Sequence, residues 1–395
     1  MSNKCNSLSP ISLYIHIPFC KKKCNFCDFN AYEGIDDMID EYEDALIKEL
    51  EFWIPTLENK KIVSIFIGGG TPSRFEAKKL SGIINIIKNN THLSSDAEIT
   101  AEVNPDDIPD WELTTLIKSG VNRLSVGIQS FIDSELVLLD RDYTEQFAKK
   151  QIKKLKDAGF TNINLDLMYG LVNHTMDNWI YSLNQALELE PSHLSCYALG
   201  VEEGTLLKYR IEQGELPPPD DDLAASQYEH TTQTLLSYNY DHYEISNWAK
   251  VGYESLHNSS YWNMNEYLGI GAGAHSFVGN NRFSNIKNPR EYISAIKTMS
   301  SNVSKLQEIK MEQVIEGEEI DSSNILNEAM LFGLRMIKGI NIIQFQKKYN
   351  IDPRLHFNQQ IERSKNKGLV VENDTHIKLS KKGLLLSNEV FEDFI

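Results

Sequence analysis

Tyr14-Ile15-His16-Ile17-Pro18-Phe19-Cys20-Lys21-Lys22-Lys23-Cys24-Asn25-Phe26-Cys27 sets three thiols at Cys-x3-Cys-x2-Cys spacing directly after a β-branched run. Three ligands on one short loop can converge on a single centre. A structural zinc site takes four ligands, usually as two pairs. Three thiolates on a four-iron cluster leave one iron without a protein ligand, open to another group. Lys21, Lys22 and Lys23 fall between the first two thiols and would offset their anionic charge. The spacing alone also allows an ordinary loop with no metal, or a zinc site completed by His16. Five cysteines in 395 residues are too few for a disulfide scaffold, and the other two, Cys5 and Cys196, stand apart.

Outward from this loop, the chain alternates short apolar runs with helical pattern. Leu13–Ile17, Ile62–Ile67, Glu98–Val103, Arg123–Ile128, Asn162–Met168 and Leu194–Ala198 read as buried strands. Helices are expected near Asp36–Trp53 and Ser73–Lys88. About six β–α units imply a parallel sheet with right-handed crossovers. Polar residues and glycines collect after the strand ends, at Gly68–Thr71, Asn104-Pro105, Gln129 and Tyr169-Gly170. Loops at the carboxyl ends of parallel strands are where α/β barrels place their chemistry. Glu102, Gln129 and Asp166 close successive strands, and Arg141 follows in a loop. Singly, each could be a cap or a solvated strand end; together they define a rim.

Pro217-Pro218-Pro219 and Asp220-Asp221-Asp222 break this rhythm, so Leu206–Asp222 reads as a surface connection into a helix near Leu223–Ser237. Residues 238–300 are rich in Tyr, Asn, Trp and Gly, and 300–325 reads as a polar, acidic boundary. A helix near Ile325–Ile337 and two shorter ones follow. The chain then forms a hairpin, Gly368–Glu372 against His376–Ser380, and a last helix. Three helices and a hairpin suggest a winged-helix-like unit. The formal charge of −17, from 39 basic and 56 acidic residues, favours a packing module there over a nucleic-acid binder. The same balance argues against a protein held to anionic lipid by charge. No apolar run approaches the ~18–20 residues of a membrane span, and the first ten residues carry no secretory signal.

With Phe26 before the third cysteine, the loop resembles that of the radical S-adenosylmethionine (SAM) superfamily. Gly68-Gly69-Gly70-Thr71-Pro72, one unit later, is similar to the superfamily loop that approaches the methionine amino group of SAM. The resemblance implies a [4Fe-4S] cluster on Cys20, Cys24 and Cys27, with SAM chelated to the unligated iron and cleaved reductively to a 5′-deoxyadenosyl radical. Gly-Ile-Gln-Ser-Phe (127–131) and Asp-Leu-Met-Tyr-Gly-Leu (166–171) narrow it to relatives of oxygen-independent coproporphyrinogen III dehydrogenase, from about Ser12 to the end of the chain. It implies that Tyr14, Phe26, Gly69, Gly70, Thr71, Glu102, Gln129, Arg141, Asp166, Ala198 and His275 contact SAM. The fold expected is α/β: a partial (β/α)6 radical SAM barrel over 12–205, an extension over 206–300, and a C-terminal α+β winged-helix-like domain over 301–395.

Two features separate branches of that group. The dehydrogenases carry a fourth cysteine two residues after the third, where this chain has Phe29, and a longer segment ahead of the loop, where 19 residues precede Cys20. Cys-Asp-Phe-Asn is similar instead to the HemW-type haem chaperones. His257-Asn258-Ser259-Ser260-Tyr261-Trp262 matches the His-Asn-x-x-Tyr-Trp motif of that branch, and the resemblance links His257, Asn258, Tyr261 and Trp262 to haem. Imidazole is a standard axial iron ligand, and His16, His242 and His275 compete with His257 for that role. From the residues alone, the motif reads more readily as closing a core. The expected function is a cytoplasmic haem chaperone that binds cluster, SAM and haem and serves respiratory haem proteins, reaching a membrane only through a protein partner. A homodimer is left open. The alternatives are oxidative decarboxylation of porphyrinogen propionates by the SAM radical and a zinc-binding structural protein. Leu171-Val172-Asn173-His174-Thr175 replaces the usual Leu-Pro-Gly-Gln-Thr, so that turn must be built differently.

Overall fold

Apolar runs bounded by polar ends become the strands of one large sheet. The computed structural model describes residues 8–105, 110–298, 315–319 and 322–395. Cys5 and most of the 300–325 boundary lie outside the described residues. Six strands follow one another as expected: β1 (Ser9–Ile17), β2 (Lys60–Gly69), β3 (His92–Val103), β4 (Arg123–Gln129), β5 (Asn162–Tyr169) and β6 (His193–Ala198). They pair in parallel in sequence order. Helices Ile39–Leu57, Ala77–Asn90, Asp110–Ser119, Glu145–Asp157 and Met176–Glu188 make the crossovers. Their buried faces, for example Tyr42, Leu46, Leu50, Trp53 and Leu57 at spacings of three and four, cover the sheet with one apolar stripe. The fold is α/β, a partial (β/α)6 barrel with a C-terminal α+β domain.

The Tyr- and Gly-rich region adds to both edges of this sheet. β7 (Asp241–Glu244) and β8 (Asn247–Ala249) pair antiparallel, β8 lying beside β6. On the other edge, β9 (Tyr267–Ile270) runs parallel to β1, with Tyr14 opposite Gly269. Antiparallel strands β10 (His275–Val278), β11 (Asn281–Asn285) and β12 (Ile315–Glu319) continue outward. Because β9 is parallel to β1, the loop leaving it, Gly271 to His275, emerges on the same rim as the cysteine loop.

One local detail adds to the sequence reading, and one turn expected to be irregular has a physical basis. Leu206–Glu212, within the surface connection, is a helix: Thr205 caps it by accepting from the Lys208 N–H, and Leu207 is buried against Leu171 and Val172. The Leu171–Thr175 turn is closed by its replacement residues. Asn173 takes the left-handed conformation (φ 57°), which Asn tolerates better than most residues. The His174 ring Nδ1 accepts the Leu171 N–H at 3.3 Å. Thr175 then caps the Met176–Glu188 helix.

The C-terminal unit has its own core. Met330, Leu334, Phe345, Phe357, Ile377 and Phe394 pack together and seat on Met264 and Phe277 of the sheet region. Its hairpin, Val370–Glu372 and His376–Leu379, is joined by Ile340–Asn341 into a three-stranded sheet.

Candidate functional site

Cys20, Cys24 and Cys27 line one cavity of about 340 Å3 at the carboxyl rim of the sheet. The Gly68–Thr71 loop closes against the start of the cysteine loop: the Gly70 N–H donates to Ile17 O at 2.7 Å and the Thr71 N–H to Phe19 O at 2.8 Å. No larger residue fits. A Cβ on Gly70 would stand 2.7 Å from Phe19 O, and one on Gly68 2.7 Å from Glu102 Oε2. Gly69 adopts φ 114°, which disfavours any L side chain.

From Cys20 a polar chain leads outward. The Cys20 Sγ lies 3.6 Å from Thr71 Oγ1, which accepts from Asn104 Nδ2 at 3.0 Å; Asn104 Oδ1 accepts from Arg141 Nη1 at 2.8 Å. The sequence placed Asn104 among the polar residues that follow the strand ends, without a partner. Its amide reads here as the link between the thiol loop and Arg141. Gln129 ends β4 in the left-handed region (φ 71°) at a register shift, and Tyr197 donates to its Oε1 at 2.7 Å. Asp166 accepts from Asn164 Nδ2 at 2.7 Å and Ser125 Oγ at 3.3 Å. Phe26, Gly69, Gly70, Thr71, Glu102, Gln129, Arg141 and Asp166 all face the thiol cavity. Tyr14 and His275 line a second, adjoining cavity of about 620 Å3 that shares Gly69 and Glu102. Ala198 is exposed at the end of β6 and lines neither.

Burial raises the Cys20 thiol to about 11 and also raises Cys27, and each feels the charge of its neighbours. Such thiols ionise only with a strong positive charge beside them, which bound metal supplies. Among the described residues, no three His, Cys, Asp or Glu side chains close on one point as a single ion requires. A four-iron cluster spreads its thiolates around a cube and makes no such demand, so the donor set fits a cluster. His16 is poorly placed to complete a zinc site: Asn30 O, which can only accept, lies 2.9 Å from Nε2, and the Tyr14 hydroxyl lies 2.9 Å from Nδ1.

Glu102 accepts from the Gly69 N–H at 3.0 Å. Burial, with the charge of Asp166 adding, raises its carboxyl to about 7. A folded pKa above the unfolded one means that the folded state binds the extra proton between about 4.5 and 7. Without SAM, stability is therefore expected to fall as pH rises through that window. Glu102→Gln should flatten this slope in denaturant unfolding at pH 5 and 8. An unchanged slope in Glu102→Gln would reject the assignment.

The His257–Trp262 motif is split by the fold. It forms the short helix Leu256–Trp262, whose first N–H groups point at buried Glu98. His257 is 1% exposed and stacks on Phe66. Its Nδ1 lies 3.0 Å from Ser64 Oγ, which donates onward to Ser12, Ser260 and finally Leu256 O. Nδ1 is thus the donor, and Nε2 accepts from the Tyr261 hydroxyl at 2.8 Å. His257, Asn258 and Tyr261 border a small polar chamber of about 230 Å3 inside the barrel. Trp262 points the other way, toward the C-terminal unit, with the Arg335 guanidinium 4.3 Å over its ring. His242 stacks on Trp248, and its Nε2 is 3.1 Å from Ile245 O, on the far edge of the sheet.

Residues 14–186 match the radical SAM superfamily, and 320–386 match the HemN C-terminal domain. The fold is that of the Escherichia coli coproporphyrinogen III oxidase HemN, with a TM-score of 0.83 at 23% identity over 99% of this chain and 91% of that one. Heme chaperone HemW of Bacillus subtilis is 35% identical over 97% of this chain and 99% of its own length. HemW of Lactococcus lactis is 34% identical over 98% and 97%. HemW of Escherichia coli is 39% identical over 69% of this chain and 71% of its own. Identity at this level along nearly the whole length, with both domains matched, places the chain in the HemW family of the radical SAM superfamily.

Proposed function

We propose that this chain is a haem chaperone that carries a [4Fe-4S] cluster on Cys20, Cys24 and Cys27, binds SAM along the adjoining rim, and delivers haem to respiratory haem proteins. The observation that carries this reading is the end-to-end similarity to haem chaperones, in a chain with Phe29 where the dehydrogenase signature has cysteine. Phe29 is 64% exposed and lines both cavities, where an apolar surface suits a flat cargo.

When bound, the cluster supplies an electron donor beside the sulfonium of SAM. The protein's own part is positioning. The Gly68–Gly70 backbone would give close approach, while Glu102, held by Gly69, and Arg141, held by Asn104, would offer the charged groups that bind the polar ends of SAM. Phe26 and Gln129 bound the remaining space. His257 and Tyr261 line the small chamber beside this rim, and Tyr261 also lines the larger cavity. Among the described residues, no helix is long and apolar enough to cross a membrane.

Anaerobic reconstitution tests this. Iron and sulfide near four per chain, a spectrum perturbed by SAM, and stable haem binding are the expected results. Conversion of coproporphyrinogen to protoporphyrinogen by the same sample would replace the chaperone reading with the dehydrogenase one.

A further inference from the structure

The 620 Å3 cavity lies within the ~300–1,000 Å3 typical of small-molecule sites, whereas the 230 Å3 chamber at His257 lies below it. Rings of Phe29, Tyr32, Tyr261 and Tyr267 contribute to its wall, and the two cations Lys23 and Lys287 stand on it. Two imidazoles reach this cavity. His16 is buried with both ring nitrogens engaged. His275 is exposed, and among the described residues nothing hydrogen-bonds its ring.

The backbone that carries His275 is held on several sides. The Gly269 N–H donates to Ser276 Oγ at 2.9 Å, the Gly273 N–H to Ile286 O at 2.9 Å, and the Asn285 N–H to Ala274 O at 2.9 Å. Asn30, three residues after Cys27, donates to Ala272 O at 3.0 Å and Lys287 O at 2.9 Å. The imidazole therefore projects from a fixed wall that is tied to the cysteine loop. A ligand presented this way loses little freedom on binding. Partial burial and the nearby Lys287 charge lower its proton affinity, which favours the neutral, metal-binding form.

We propose that haem is held in this cavity with the His275 imidazole as an axial iron ligand, in place of the SAM contact the resemblance implied for it, and with the propionates directed at Lys23 and Lys287. The proposal rests on the haem-chaperone reading above and goes beyond the His-Asn-x-x-Tyr-Trp motif. His257 becomes a positioning residue: it fixes the Tyr261 hydroxyl and so the inner wall of the cavity. His257 could ligate iron itself only if Tyr261 left its Nε2 and the buried ring were opened to the cargo.

The test is titration of ferric haem into the full-length, cluster-loaded protein, read by the Soret band. His275→Ala should shift the Soret maximum and weaken binding at least about tenfold, the lower end of what disturbing even an outer-sphere partner of a metal ligand costs. Added imidazole should restore the spectrum, which a merely structural defect would not allow. His257→Gln should keep the wild-type Soret position. Lys23→Ser with Lys287→Ser should weaken binding and its salt dependence without moving the band. His275→Ala with wild-type spectrum and affinity would overturn the assignment, as would loss of the histidine signature in His257→Gln alone. Wild-type protein that binds no haem would overturn the chaperone reading itself, a result distinct from either.

Discussion

Cys20→Ser is expected to cost the protein its cluster, lowering iron and sulfide from near four per chain to below about one. Three thiols face the cavity, and position 29, where a fourth might have substituted, is Phe. With two thiolates left, two irons of a cube lack protein ligands, and the fragment is open to solvent and oxygen. Cys20 is the most buried of the three, and its Sγ approaches only Thr71 among the side-chain contacts described. Serine there should leave the fold intact, which circular dichroism can check. Cys196→Ser is the control: that thiol is fully buried within β6, away from the loop, and its loss should leave the iron content unchanged. A Cys20→Ser protein that retains four irons and its SAM-dependent spectrum would show that the cluster lies elsewhere.

Gly69→Ala is expected to destabilise the fold by about 2–4 kcal/mol and to remove SAM binding, the second large effect. At φ 114° a Cβ is strained whatever space surrounds it, and the space is filled: the new methyl would stand 2.4 Å from the His16 ring. His16 cannot turn aside without breaking its bonds to Tyr14 and Asn30, and Asn30 in turn holds the loop at Ala272. The strain would spread to both walls of the large cavity. Gly159→Ala separates the two causes, because Gly159 has nearly the same φ (112°) but nothing within 4 Å of an added methyl. Denaturant unfolding should show a clearly smaller loss for Gly159→Ala. Equal losses would mean that backbone strain alone, and not the contact with His16, sets the cost.

The parallel strands, the helices between them and the terminal hairpin were legible because each rests on local pattern. Arg123–Gln129 needs only its apolar run and flanking turns to read as a strand. The cysteine loop and the glycine loop were legible because their chemistry is compressed into a few adjacent residues. The Leu206–Glu212 helix was masked by the prolines and aspartates that follow it, although Thr205 supplied a cap. Asn104 was missed as a functional link because its partners, Thr71 and Arg141, are each more than 30 residues away.

The sequence by itself determined the fold class and the spacing of the proposed ligands: alternating strand and helix periods, three thiols on one short loop, and a backbone loop that only glycine can form. Only the tertiary structure decided which face each motif residue serves. His257, Asn258 and Tyr261 turn into the barrel while Trp262 turns to Arg335, because a helix that leaves the sheet between two cores must give one face to each. His275, more than 240 residues from Cys27, reaches the rim because β9 pairs parallel to β1, a long-range pairing that no local pattern announces.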